Sequence, residues 1–233
     1  MIRVALVLGI AVVAPLAVSV GPLYAADRFR DLRPPTDAER AQIAALADPG
    51  GLDVGRIAIE SVDEAGSGDG ASNGGGSAAG PAEVAVRGPP GRRVLFLTAD
   101  VLTDLDEDVA VGLLAAEAGR TATYYAEFRA VAVGAVLATL AAVVTALVPF
   151  ESGFAALVAV GVVSFWAGRR VQYAADARAA DVVGAGRIAD AFERVAERRG
   201  VEPETGDWST WFEVQPPLGD RIARLRDRAG EEE

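Results

Sequence analysis

The sequence predicts an α+β chain, predominantly helical, in which a small β-sheet and amphipathic helices are joined to membrane-crossing helices. Three observations carry this reading. Uncharged runs fill residues 4–26, 130–150 and 152–168, and a bilayer core takes about 20 apolar residues. Between the first two runs lie short segments rich in Val, Ile and Leu, bounded by Gly and Pro. Elsewhere apolar residues recur at helical spacing.

Composition agrees. The chain has 233 residues and is 51% hydrophobic, yet 33 Asp and Glu outnumber 22 basic residues. Apolar mass and acidic charge must therefore be segregated along it. All the basic residues are Arg, and this acidic, Lys-free, Ala/Val/Gly-rich usage fits a halophile with a salty cytoplasm, with a high-GC genome of any habitat as the alternative. A net charge of -11 argues against nucleic acid as a partner, because phosphate binding needs a basic footprint. With His 0 and Cys 0, an ordinary protein zinc site cannot be built and no disulfide is possible.

Residues 1–26 form the first unit, a transmembrane helix, with a cleaved signal peptide ending at Tyr24-Ala25-Ala26 as the rival reading. Residues 27–129 form a soluble unit. Its first helix opens at Thr36 or Asp37, with Glu39 placed for a capping box and Ile43 and Leu46 on one face. Residues 54–62 read as a strand, residues 65–81 as a flexible Gly/Ser loop without a phosphate-binding pattern. Residues 83–87 and 93–97 read as two more strands joined by Gly88-Pro89-Pro90-Gly91. The next helix begins near Thr103 or Asp104, where Asp104, Asp106, Glu107 and Asp108 match the macrodipole of a helix start.

Residues 130–168 form the third unit, a transmembrane hairpin turning at residues 148–152; a buried hairpin of a soluble protein is the alternative. Residues 169–233 complete the soluble part. They are helical to Gly200 with a break near Gly184-Ala185-Gly186, irregular to Gln215, and end in an amphipathic helix carrying Leu218, Ile222 and Leu225. Trp208, Trp211 and Phe212 suit an interfacial anchor or the lining of a cleft. Arg28, Arg30 and Arg33 after the first span, and Arg120, Arg129, Arg169 and Arg170 flanking the hairpin, place the soluble parts in the cytoplasm of a multi-pass cell-membrane protein.

Three local patterns carry a resemblance. Residues 92–110 read R-R-V-L-F-L-T-A-D-V-L-T-D-L-D-E-D-V-A and lead into L-L-A-A-E-A-G-R. After the hairpin comes R-R-V-Q-Y-A-A-D-A-R-A-A, and near the end V-Q-P-P-L-G-D-R-I-A-R-L. In this order and spacing the chain resembles the HtpX-like integral-membrane zinc metallopeptidases, relatives of the CAAX prenyl endopeptidase, over about residues 35–229. The resemblance implies a membrane-embedded, gluzincin-like peptidase domain and a zinc cofactor.

The departures fall on the metal. The family's H-E-x-x-H helix sets two imidazoles one turn apart beside a catalytic Glu. Here Glu117 keeps the Glu place, while Ala116 and Arg120 stand where the two histidines would be. The third ligand, a Glu in the family, becomes Gln172, and the late His of its T-H-P-P segment becomes Gln215. Asp176, Arg221 and Pro216-Pro217 are retained. Ala offers no donor atom, Arg is permanently cationic, and Gln is at best a weak neutral ligand. Without zinc, water keeps a pKa near 15.7, so Glu117 has nothing useful to deprotonate. Arg120 either occupies the metal's place, pairing with Glu117 and Asp176, or forms an ordinary i,i+3 pair on a solvated helix face.

The expectation is a degenerate family member with no metal: a pseudopeptidase that binds membrane or unfolded protein segments in protein quality control, or regulates an active relative. An active metalloendopeptidase with an unconventional site and a purely structural membrane protein are the alternatives.

Overall fold

The computed structural model describes residues 2–29, 32–53, 55–60, 83–200 and 216–232. The Gly/Ser loop, the Trp208-Trp211-Phe212 group and Gln215 lie outside the described residues. Eight helices and four strands follow one another among those described: α1 (Ile2–Phe29), β1 (Leu32–Arg33), α2 (Asp37–Ala47), β2 (Arg56–Glu60), β3 (Val84–Arg87), β4 (Val94–Thr98), α3 (Asp100–Thr103), α4 (Glu107–Ala122), α5 (Tyr125–Val144), α6 (Phe150–Val183), α7 (Ala185–Arg199) and α8 (Leu218–Glu232).

The local chemistry explains most boundaries. Thr36 caps α2 and Glu39 closes the capping box back onto the Thr36 backbone. Gly184, at φ 92°, divides α6 from α7 in a conformation that a Cβ would oppose. The helix expected from Thr103 is two pieces. A single turn, α3, precedes Asp106, and α4 starts only at Glu107, so Glu107 and Asp108 occupy its first turn.

The strands form one mixed sheet in the order β1-β2-β4-β3. β2 runs parallel to β4, with Arg56 opposite Val94, while β3 lies antiparallel along the outer side of β4. Every residue of β4 is buried, as its central position requires. One face of the sheet packs Ile59, Leu95 and Leu97 against α2 and α4 through Ile43, Leu46, Ala110 and Leu114.

Helix α4 is shared by two cores. Its opposite side, through Ala115 and Ala116, meets Ala179 and Ala180 of α6, Ile188 and Phe192 of α7, and Ile222 and Leu225 of α8. Small residues make this approach close. A Cβ built on Gly119 would lie 2.2 Å from the Ala175 carbonyl oxygen, and one on Gly112 would lie 2.7 Å from Ala191 Cβ.

Helices α1, α5 and α6 each contain a stretch long and apolar enough to cross a membrane. They touch where side chains vanish: Gly134 of α5 lies under Pro15 of α1, and Gly153 of α6 lies under Val143 of α5. The α5–α6 turn falls at residues 145–149, earlier than the charge pattern suggests. Ala146 adopts φ 52°, and the Leu147 and Val148 amides both donate to Ala142 O, which closes α5 at Val144.

Helix α6 is one continuous element of 34 residues. At 1.5 Å per residue it is about 50 Å long, against about 30 Å of bilayer core. Its far end therefore leaves the apolar stretch and carries Gln172 and Asp176 alongside α4.

Candidate functional site

Glu117 lies on the buried side of α4, with 8% of its side chain exposed. It has two partners among the described residues. Arg120 Nη1 donates to Oε1. The backbone N–H of Val86 donates to Oε2 at 3.2 Å. Because β3 is an edge strand, that N–H belongs to the row not used for pairing with β4. Both carboxylate oxygens are thus engaged by the chain itself.

Arg120 keeps 30% of its side chain exposed, and two carboxylates govern it. Burial works against the charged guanidinium, but Glu117 and Asp176 outweigh it and hold the pKa above its ordinary value. The cation therefore experiences carboxylates from both α4 and α6. Its Nε, and the hydroxyl of Tyr125 at the start of α5, are buried without a hydrogen-bond partner among the described residues. The site presents two unmatched donors.

Asp176 is 4% exposed and binds Arg221 of α8 in a fork: Nε donates to Oδ2 and Nη2 to Oδ1, each at 2.7 Å. Gln172, 1% exposed and one turn earlier on α6, donates its Nε2 to Asp176 Oδ1 at 3.1 Å. The Arg221 guanidinium also lies 4.4 Å from the centre of the Phe192 ring. This network ties α6 to α8, and the pairing links residues 45 apart in sequence.

The positions that would hold zinc do not suit it. Ala116 is 2% exposed and packs in the helical core as an apolar residue. Arg120 directs a guanidinium at Glu117. Gln172 spends its amide on Asp176. Among the described residues no group of three or more His, Cys, Asp and Glu could hold a metal ion. Among the described residues the donor set offers Glu117 and Asp176 alone, each paired with an arginine.

The resemblance singled out Glu117, Arg120, Gln172, Asp176 and Arg221, and the structure places them at the junction of α4, α6 and α8. It missed Val86 and Tyr125. Strand periodicity gives no sign of which edge N–H meets a side chain 31 residues away.

Among solved structures the chain resembles Ste24p of S. mikatae, with a TM-score of 0.66. The chain shares that fold. The match covers 97% of this chain and 58% of the Ste24p chain, at 15% sequence identity. No family model matches the sequence, and no curated protein does. The likeness in fold and the apolar helices together support a membrane protein.

Proposed function

We propose that this chain is a membrane-embedded pseudopeptidase: an HtpX-like, gluzincin-type scaffold that keeps the peptidase architecture without zinc and without hydrolysis. Ste24p is a CAAX prenyl protease, a membrane zinc metallopeptidase, and its likeness supports the scaffold. The observation that carries the loss of catalysis is the Arg120–Glu117 pair. A guanidinium occupies the carboxylate that would activate water, and it cannot lower the pKa of a water as a metal does. Arg120 takes over the metal's electrostatic role, supplying the positive charge between Glu117 and Asp176 that keeps α4 and α6 docked.

The retained capacity is binding. The family resemblance points to an unfolded or membrane-derived polypeptide segment, or a segment of an active relative, as what it binds. The arginine-rich flanks of the spans support a cytoplasmic placement of the soluble part.

The test uses the full chain in detergent, loaded with zinc and incubated with fluorescent casein. The proposal predicts retention of casein, seen by anisotropy, with no turnover above that of Glu117→Gln. Cleavage abolished by Glu117→Gln would restore the metallopeptidase reading. Neither cleavage nor retention would favour a structural role.

A further inference from the structure

A hollow of about 480 Å³ opens at the end of the apolar stretch of α6, between α6 and α8. That volume falls within the roughly 300–1,000 Å³ typical of small-molecule sites. Its polar lining is Arg169, Arg170 and Arg224 with Trp166 and Tyr173, and no carboxylate among the described residues lines it. In a chain with 33 acidic against 22 basic residues, three guanidiniums around one hollow with no described carboxylate is an uneven distribution. The neighbouring hollow toward the end of α8 differs: there Arg221, Arg224 and Arg228 stand beside Asp176, Asp227 and Glu231.

All three cations lie over aromatic faces, Arg169 at 4.6 Å from the Phe165 ring centre, and two of those rings line the hollow itself. Arg170 lies 5.7 Å from the Trp166 ring centre, and Arg224 lies 4.6 Å from that of Tyr173. Neither Arg170 nor Arg224 forms an ion pair with a carboxylate among the described residues. Stacking leaves the edges of a guanidinium free, and those edges carry the N–H donors that match phosphate oxygens in bidentate fashion.

The surface leading to the hollow is apolar. Val158, Val162 and Trp166 recur every fourth residue along α6 and are 49%, 62% and 63% exposed, so one stripe runs from the apolar stretch into the arginines. A free phosphate has no use for that stripe, whereas an acyl chain does.

We propose that this hollow binds the phosphate-bearing headgroup of an anionic phospholipid, with the acyl chains along the Val158–Trp166 stripe. The site rests on the membrane placement argued above. A lipid there would bridge α6 and α8 from outside, beside the Asp176–Arg221 fork that bridges them from within.

The experiment puts the full chain into phosphatidylcholine vesicles with and without phosphatidylglycerol. Flotation reports membrane insertion, and native mass spectrometry reports the lipid retained. Wild type is expected to float with both and to retain phosphatidylglycerol in preference. Arg170→Gln/Arg224→Gln should float equally and lose about 30-fold of that preference, the effect of two juxtamembrane arginines. Arg178→Gln makes the same single charge change outside the hollow as Arg224→Gln alone makes within it, and should keep the preference where Arg224→Gln loses about 5-fold of it. Circular dichroism of each variant reports folding, and Arg224→Gln alone stands in if the double variant is misfolded.

Flotation without headgroup preference, or equal loss in Arg178→Gln, overturns the lipid site while leaving the membrane reading intact. Displacement of the lipid by glycerol phosphate at equal concentration overturns the lipid in favour of a soluble phosphate. Failure of every form to float overturns the membrane reading, and the site with it.

Discussion

Removing the Arg120 guanidinium tests whether it replaces a metal or decorates a surface. Arg120→Ala would leave Glu117, with 8% of its side chain exposed, holding one hydrogen bond from Val86 among the described residues. A hydrogen bond to a charged group contributes about 1.5–3 kcal/mol, and the 30% exposure of Arg120 reduces this by solvent screening to about 1–2 kcal/mol. For a chain of this size each kcal/mol moves Tm by about 2–4 °C, so a drop of about 2–8 °C is expected. A solvated i,i+3 pair contributes only about 0.3–0.5 kcal/mol and would lower Tm by about 1 °C.

The assay is a thermal double-mutant cycle in detergent with Arg120→Ala, Glu117→Gln and both together. The double variant buries no unpaired charge, so it should recover stability relative to Arg120→Ala, with a coupling of about 1–2 kcal/mol. An unchanged Tm in Arg120→Ala, or a coupling below about 0.5 kcal/mol, would refute the argument that Arg120 holds the site together.

Arg221→Ala should destabilise more, by about 3–5 kcal/mol in thermal unfolding, because it strands Asp176 at 4% exposure. Gly119→Val should reduce stability by more than about 2 kcal/mol or abolish the folded state, since its Cβ alone would lie 2.2 Å from the Ala175 carbonyl oxygen. The Glu39 carboxyl is held down at about 2 by the Arg33 guanidinium and the Thr36 amide, below its usual 4.5. Because the folded value is depressed, this stabilisation is complete above about 4.5 and is lost as pH falls through about 2. Glu39→Gln should therefore flatten the stability profile across that window in acid titrations followed by circular dichroism.

Much of the fold was legible because local chemistry decides it. The Thr36–Glu39 capping box, the glycine break at Gly184 and the apolar face of α8 each follow from spacing over a few residues. The continuity of α6 was not legible. Arg169 and Arg170 end the hydropathy signal, but backbone hydrogen bonds continue through a change of polarity, and the helix runs on to Val183. Strand β1 has two residues, too few to show a period.

The candidate site divides in the same way. Glu117 and Arg120 are three apart on one helix, so their pairing is readable in the chain. The Asp176–Arg221 fork joins distant segments, and the resemblance flags both residues without showing that they meet. The burial of Glu117 is set by β3, which no local pattern around Glu117 reveals. Helix periodicity around residue 117 leaves a solvated pair as an equal reading; the Val86 N–H bond and the 8% exposure of Glu117 favour the buried one.

Zinc content tests the central claim most directly. The purified full chain is loaded with excess zinc, passed through a desalting column and measured by elemental analysis. The account predicts far less than one equivalent in wild type, because Ala116, Arg120 and Gln172 form no ligand set. About one tightly held zinc per chain, retained through desalting and removed by chelator, would contradict it.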